Sequence, residues 1–173
     1  MKKVFIAILA AAALAACNKA EVVESAPAAK IAFDNAFVDN ATKAATDITK
    51  ANLSDFGVYG TVAKGGNAAL IFNNTQVTNN SGVYTYSPVQ YWIEGAQYTF
   101  SAYAPFTGAK WAFTPADAKD AYNGTLSFNN AAAQGEQDLL FAAATSTTPG
   151  TLTTTPDAVS FTFSHLLSKV KFT

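Results

Sequence analysis

Few residues of this 173-residue chain could do covalent or metal chemistry. It contains one histidine, His165, one cysteine, Cys17, and no arginine, so all eleven basic residues are lysine. A zinc site needs several His or Cys ligands, and none is predicted here. The serines nearest His165, Ser164 and Ser168, are too close in sequence to indicate a catalytic triad. We therefore interpret His165 as a structural residue.

The acidic residues suggest two weak alternatives. Asp117 and Asp120 precede Asn123-Gly124 as in a calcium loop, but the spacing and the terminal glutamate of an EF-hand are missing. Glu136 and Asp138 could pair as glycosidase carboxylates, although almost any two of the 12 acids could do the same. A surface turn and a solvated loop are the simpler interpretations. The sequence predicts no enzyme and no cofactor.

The charge balance excludes several partners. The formal net charge is −1, and no basic face is visible that could neutralise the phosphates of a nucleic acid. Without guanidinium groups, bidentate clamps on phosphate or carboxylate are also excluded. Lys64-Gly65-Gly66 has the wrong order for a phosphate-binding loop, so a turn is predicted there. We expect no nucleic-acid partner.

The N-terminus carries an export signal that ends at the only cysteine. Two lysines precede an uninterrupted apolar run over residues 4–13, and Leu14-Ala15-Ala16-Cys17 follows. This order is typical of a secretory signal peptide, and its end resembles the bacterial lipobox. The sequence predicts a signal peptide over 1–16, lipidation of Cys17 as the new N-terminus, and a peripheral membrane anchor. No disulfide can form within a chain that has one cysteine.

The remaining elements indicate strands. Residues 17–30 are small and polar, as in a flexible tether; a strand-like run follows over 31–38 and a linker over 39–51. Alternating runs predict an antiparallel sandwich of about seven strands, with turns at 65–66, 79–82 and 123–124. A short helical insert is possible over 115–122, and 145–156 is predicted to be a loop. The predicted strands are 55–62, 68–72, 83–86, 89–93, 97–103, 110–113, 125–128, 138–142 and 159–163.

Three segments of the chain occur in an order that can be compared with known families. The first segment is NLSDFGVYG at 52–60, and the second is YWIEG leading into YTFSAYAP at 91–105. The third is DLLFA at 138–142, followed by FTFSHLLSKVKF at 161–172. Their order and spacing, behind a lipobox, resemble the N-terminal half of the fimbrillin family, the type V pilins of certain anaerobic gram-negative bacteria, over roughly residues 14–173.

The resemblance implies a fold and an assembly mechanism. Such pilins are outer-membrane lipoproteins made of transthyretin-like Greek-key β-sandwich domains, and a protease cuts after a basic residue in the linker. The lipidated first strand is then removed, and a neighbouring fimbrial subunit supplies a replacement strand. Here, 31–51 would be the first strand and cleavable linker, and 52–173 the sandwich domain. The cut would follow Lys43 or Lys50, so an arginine-specific protease could not act.

Two further expectations accompany the resemblance. The resemblance leads us to expect a second domain with its own donor strand, which this sequence does not contain, so the chain could be a fragment of a longer protein, a terminal or accessory subunit, or one that no longer polymerises. The expected role is a structural subunit of cell-surface fimbriae that contributes to adhesion.

One alternative function comes from the binding-module class. Tyr84, Tyr86, Tyr91 and Trp92 could form a sugar-stacking platform on a surface-exposed glycan-binding lipoprotein. The competing interpretation is that these rings are cross-strand core pairs, which an aromatic-rich sheet favours. A hydrolase is a more distant alternative.

Overall fold

The computed structural model describes residues 28–38, 48–109, 111–117, 120–128, 138–148 and 150–166. Within those ranges the chain forms nine strands and no helix, which confirms the all-β fold class. The strands are β1 (Phe33–Val38), β2 (Asp55–Lys64), β3 (Asn67–Asn80), β4 (Val83–Tyr86), β5 (Gln97–Ala104), β6 (Trp111–Asp117), β7 (Asp120–Phe128), β8 (Leu140–Thr147) and β9 (Val159–His165).

Seven of these strands form one sheet in the order β1-β9-β8-β5-β2-β3-β4, and β6 pairs with β7 as a separate hairpin. Neighbouring strands are antiparallel with one exception, because β1 runs parallel to β9. The expectation of a purely antiparallel arrangement is wrong at that pair. Strands β1 and β9 lie near opposite ends of the described chain, so no short hairpin turn imposes an antiparallel direction on them.

The sheet curls until its two ends nearly meet. At the junction, the ring of Phe33 on β1 lies 5.4 Å from that of Tyr86 on β4, measured between centroids. The curled sheet encloses an aromatic interior, which we call the main core. Its members include Ile31, Phe33, Phe56, Val58, Phe72, Val77, Trp92, Tyr98, Phe100, Leu140, Val159, Phe161 and Phe163.

The β6–β7 hairpin packs on the outer side of the sheet and forms a second apolar cluster, the hairpin core. The Tyr59 hydroxyl donates a hydrogen bond of 2.7 Å to the backbone oxygen of Phe113, which ties β2 to the hairpin. Strand β2 is therefore buried on both faces for most of its length, although alternation predicted only one buried face. The hairpin core comprises Tyr59, Tyr103, Trp111, Phe113, Ala121 and Leu139.

The predicted helical insert over 115–122 is wrong, and so is the turn at Asn123-Gly124. Pro115 pairs with Gly124 across the hairpin, and Asp117 pairs with Asp120, so the chain reverses earlier than expected. A side chain at position 124 would lie 2.5 Å from the ring of Phe113. Glycine is required there because two strands approach closely, and not because a turn needs a positive φ.

Several strand boundaries differ from the prediction. The run predicted at 68–72 extends over the whole of β3, and β8 continues to Thr147, into the predicted loop. The turn at 79–82 is confirmed: Ser81 and Gly82 have φ values of 56° and 91°, and Gly82 N donates to Asn79 Oδ1 at 2.8 Å. The predicted strand at 89–93 forms only one isolated bridge, between Lys30 and Tyr91.

Candidate functional site: the seam filled by the first strand

The N-terminal segment 29–38, which includes the end strand β1, fills the seam between β9 and the chain that follows β4. On one side, β1 forms a parallel ladder with β9 in which Phe33 pairs with Val159 and Val38 with Phe163. The register shifts between Asp34 and Phe37, so this ladder is irregular. The strand is thus integrated into the sheet, but through a pairing less regular than a continuous antiparallel ladder.

The other side of the segment pairs with the chain that follows β4. Ile31 N donates to Gln90 O at 2.9 Å, and Trp92 N donates to Ala29 O at 2.8 Å. The Tyr86 hydroxyl donates to Ile31 O at 2.6 Å. Burial raises the pKa of Tyr86, so the phenol remains protonated and keeps its donor role at neutral pH.

Two side chains of the segment complete the main core. Ile31 is fully buried and Phe33 is 5% exposed. The Phe33 ring stacks on Phe161 at a centroid distance of 5.8 Å and an interplanar angle of 20°. Its other aromatic neighbours, in edge-on contact at 5.4–6.3 Å, are Phe56, Phe72, Tyr86 and Phe100. Removing this segment would open an apolar groove lined by aromatic rings.

The chain at Ile48, where the described residues resume after β1, is anchored by a carboxylate. Asp138 accepts a hydrogen bond from Ile48 N at 2.7 Å through Oδ2, and its Oδ1 lies 2.8 Å from His165 Nδ1. The side chains of His165 and Asp138 are only 9% and 8% exposed. This clamp joins the start of the domain to the end of β9. Within the described part of the chain, no hydroxyl nucleophile is hydrogen-bonded to His165.

A second buried carboxylate is also used structurally. Asp55 Oδ1 accepts a hydrogen bond from Phe106 N at 3.1 Å, and Oδ2 accepts from Gln76 Nε2 at 3.0 Å and from the Thr107 backbone N at 3.2 Å. These bonds hold the loop after β5 against β2 and β3.

No group of three potential metal ligands occurs in the described ranges. The calcium-loop residues lie within the paired strands β6 and β7, and Glu136 falls outside the described residues.

Of the residues predicted for lipidation and maturation, the structure describes only Lys50. Cys17 and Lys43 lie outside the described residues. Lys50 is exposed and sits in a turn, where Leu53 N donates to Thr49 O at 2.9 Å and Thr49 N donates to Asn52 Oδ1 at 2.5 Å. Leu53 itself is 2% exposed, so this turn is fixed to the main core.

The four aromatic residues considered for sugar stacking do not form a common surface. Trp92 is 5% exposed and packs edge-on against Tyr98 at 4.6 Å, whereas Tyr91 is 51% exposed. Tyr84 and Tyr86 are half-buried against the main core. Three of the four rings are therefore core contacts, as the competing interpretation proposed.

Sequence reasoning missed two parts of this site. Tyr86 and Gln90 form one wall of the seam, whereas the sequence predicts Tyr86 only as a strand residue in either a core pair or a sugar-stacking platform. For Asp138 the sequence suggests a strand start or a solvated loop, with a glycosidase carboxylate as a weak alternative, and it does not predict the contacts with Ile48 and His165. No local signal could have identified the clamp, because its residues are 90 and 27 positions apart in sequence.

Comparisons with known proteins agree with this architecture. A family model described as fimbrillin-like matches residues 42–173, which is more than half of the chain and begins after β1. A model described as a prokaryotic membrane lipoprotein lipid attachment site matches residues 1–18. No curated protein and no solved structure matches the chain significantly. In the described part of the chain, no helix has the length and apolarity needed to cross a bilayer. The chain therefore belongs to the fimbrillin-like family and is a membrane-anchored surface lipoprotein that serves as a fimbrial subunit.

Proposed function

We propose that this subunit matures by losing its first strand and polymerises when a neighbouring subunit fills the vacated seam. The observation that carries the proposal is the position of segment 29–38. It contributes Ile31 and Phe33 to the main core, and its backbone pairs with β9 on one side and with Gln90 and Trp92 on the other. A segment at the N-terminus of a lipoprotein thus occupies a structural position that a strand from another chain could take.

The geometry of the β1–β9 pair supports replacement of the strand. The ladder between β1 and β9 is parallel and has a register shift. Antiparallel ladders are slightly more stable per residue than parallel ones. An incoming strand that runs antiparallel to β9 without the register shift would gain backbone hydrogen bonds. Its apolar side chains would occupy the positions of Ile31 and Phe33.

Leaving the seam empty would be costly. Full burial of a large apolar side chain contributes roughly 1.5–3 kcal/mol, and Ile31 and Phe33 are both buried. Their aromatic neighbours would also be exposed to water, along with the backbone groups of Gln90 and Trp92 that now pair with the segment. An empty seam has unpaired edges that invite strand addition by another chain.

Proteolysis in the linker would release the segment, and the two candidate lysines are not equivalent. Cleavage after Lys50 requires opening the hydrogen-bonded turn at 49–53. The free energy needed to open this turn protects the peptide bond between Lys50 and Ala51 from the protease. We therefore propose that Lys43 is the preferred site, with Cys17 carrying the lipid. N-terminal sequencing of mature subunits would give Ala44 for this cut and Ala51 for the other. Lys43→Ala and Lys50→Ala are matched variants, and only the first should block maturation.

Strand replacement can be tested with the full chain and one peptide. The chain is cut in the linker with a lysine-specific protease, and the N-terminal fragment is displaced in mild denaturant. On return to buffer we expect assemblies larger than a monomer. A synthetic peptide of residues 28–38 should instead restore a monomer, and the same peptide with Phe33→Ser should do so less well. A stable monomer without any added strand would contradict the proposal.

Adhesion is the proposed role of the assembled fimbriae, and no described residue identifies a target. A surface fimbrial lipoprotein is placed to make first contact with other cells or matrix. Deleting the chain should reduce attachment of intact cells, and complementation with the wild-type chain should restore it. Attachment that is unchanged by the deletion would argue for a purely architectural role.

A further inference from the structure

A small apolar patch lies on the outer surface beside the seam. Val89, Tyr91 and Ile93 are 40%, 51% and 45% exposed, whereas Trp92 between them is 5% exposed. Successive side chains of an extended chain point to opposite sides. The three exposed side chains therefore face outward together, while Trp92 enters the main core. We call Lys30, Val89, Tyr91 and Ile93 the seam patch.

The N-terminal segment joins the folded domain at this same patch. Lys30 and Tyr91 form an antiparallel bridge, flanked by the hydrogen bonds Ile31 N to Gln90 O and Trp92 N to Ala29 O. Residues directly opposite each other in such a bridge have side chains on the same face. Lys30, which is exposed and has its ammonium group 5.3 Å from the Tyr86 ring centroid, therefore borders the patch.

The length of chain before the patch limits its distance from the membrane. Eleven residue steps separate Cys17 from Ala28, and eleven extended residues span at most about 40 Å. The lipid attachment site matches residues 1–18. A patch held this close to a bilayer meets it at a high effective concentration, so weak affinity is enough for contact.

The chemistry of the patch suits the membrane interface. Tyrosine is enriched at the boundary between water and hydrocarbon, and lysine is attracted to anionic headgroups. The neighbouring carboxylate of Glu94 is directed elsewhere, because it accepts a hydrogen bond from Leu152 N at 2.7 Å. We propose that, in the lipid-anchored precursor, the seam patch rests on the headgroup layer of the bilayer.

A bilayer fits the patch better than a protein partner does. A stable subunit interface buries more than about 1,000 Å² in total, whereas this patch presents three partly exposed apolar side chains and one lysine. A protein partner in free solution would need additional contact area to bind stably. The bilayer would not, because the lipid anchor already holds the chain next to it. Docking would also orient the subunit with segment 29–38 and the seam toward the membrane, so the strand to be removed would be covered until cleavage. The inference rests on the proposed lipidation of Cys17.

The test uses the full lipidated chain in vesicles of phosphatidylethanolamine and phosphatidylglycerol. A lipidated Cys17 has no free thiol, so Ile93→Cys introduces one unique site for a nitroxide label. Leu126→Cys on β7, where Leu126 is 39% exposed, is the matched control. Co-flotation with vesicles and mass spectrometry of the N-terminal residue establish the anchor independently of docking.

We expect the label at position 93 to be severalfold more accessible to oxygen, and less accessible to a water-soluble nickel complex, than the label at position 126. Tyr91→Ser should weaken this contrast, and it should shrink in vesicles without anionic lipid. Equal accessibility at the two positions in anchored protein would overturn the proposal while leaving lipidation and strand replacement intact. Protection that rises with protein density in the vesicle would identify a second copy as the occupant, and would equally overturn it.

Discussion

The two edges of β9 are held very differently. Along the β1 edge, the register extends over four pairs, from Phe33 with Val159 to Val38 with Phe163. Along the β8 edge, only Leu140 with His165 and Phe141 with Ser164 are paired. A cavity of about 390 Å³ opens along the rest of that edge. It is lined by residues 144–147, Leu152, Thr154 and residues 156–160.

This difference shows where β9 depends on β1. β1 pairs with residues of β9 from Val159 to Phe163, whereas Ser164 and His165 at its end pair with β8, beside the Asp138 clamp. If the β8–β9 register continued unchanged, Ala143 would face Thr162 and Thr145 would face Ser160. That pairing is not formed among the described residues. Loss of β1 would therefore leave residues 159–163, which are most of β9, without a partner strand.

The largest expected effect comes from the β1 edge. Phe33→Ala should lower the free energy of unfolding by about 3–5 kcal/mol, because it leaves a cavity among aromatic rings in the main core. Urea denaturation of the intact chain measures the change. Val83→Ala, at a position that is 62% exposed, is the control and should stay within about 0.5 kcal/mol. Similar losses for the two variants would mean that β1 contributes little to the core.

The clamp at the β8 edge should give the next largest effect. Asp138→Ala removes the acceptor of Ile48 N and the partner of His165, and should cost about 1–3 kcal/mol. Amide hydrogen exchange can separate the two edges of β9. The Leu166 amide, bonded to Leu139 O, should exchange faster in this variant, whereas the Val159 amide, bonded to Ala32 O, should not. Equal acceleration at both amides would show that β9 opens as one unit.

Alkaline pH should weaken a region that touches neither edge of β9. Burial raises the pKa of Tyr103 to about 12, from 10.0 for a free tyrosine. A phenol with a raised pKa favours the folded state below pH 10, and this contribution disappears as pH rises toward 12. We expect a loss on the order of 2 kcal/mol across that window. Tyr103→Phe should flatten the profile, and an unchanged slope would assign the loss to other groups.

A smaller effect is expected from one hydrogen bond in the seam. Tyr86→Phe removes the 2.6 Å bond to Ile31 O and keeps the aromatic contacts with Phe33 and Phe72. The expected cost is about 0.5–1.5 kcal/mol. The variant should also release a nicked N-terminal fragment faster, measured by the appearance of free peptide. A release rate equal to that of the wild type would indicate that ring packing alone retains the segment.

The smallest effect is expected where β8 faces the cavity. The bond from Thr148 N to Ala96 O sets the alternation of β8, so the amide of Ala144 points toward β5 and that of Thr145 toward the cavity. Thr145→Pro should therefore cost much less than Ala144→Pro, which should lose about 1–3 kcal/mol through a broken ladder bond. Thermal melts of the two variants test this directly. Equal losses would mean that β8 and β9 pair in solution beyond the two observed pairs.

The sequence predicted those elements whose patterns are local. Alternation at 55–62 and 97–103 identified β2 and β5, and Asn79 to Gly82 identified a turn from residues that favour one. The prediction of a helix at 115–122 was wrong because Pro115 and the small residues after it are equally compatible with a helix start and with an irregular strand. The prediction of a turn at Asn123-Gly124 was wrong because, without knowing the partner strand, a glycine needed for close strand approach cannot be distinguished from a turn glycine.

The candidate site could be predicted only in part. The strand at 31–38 and the N-terminal export signal could both be predicted from apolar content and from order along the chain. Neither prediction requires knowledge of the segments that the strand contacts in the fold. Its two walls could not be predicted, because β9 and the segment around Gln90 and Trp92 lie far away in sequence. Pairing between distant segments is determined by the sum of many weak contacts, and no local pattern records it.

By itself, the sequence determined that this protein is exported, lipid-anchored and rich in strands. Those properties depend on composition and on short runs of residues, which act locally. Only the tertiary structure decided that β1 runs parallel to β9, that Ile31 and Phe33 complete the main core, and that Asp138 clamps the end of the linker. These properties depend on which distant surfaces meet, and burial of the aromatic interior selects that arrangement.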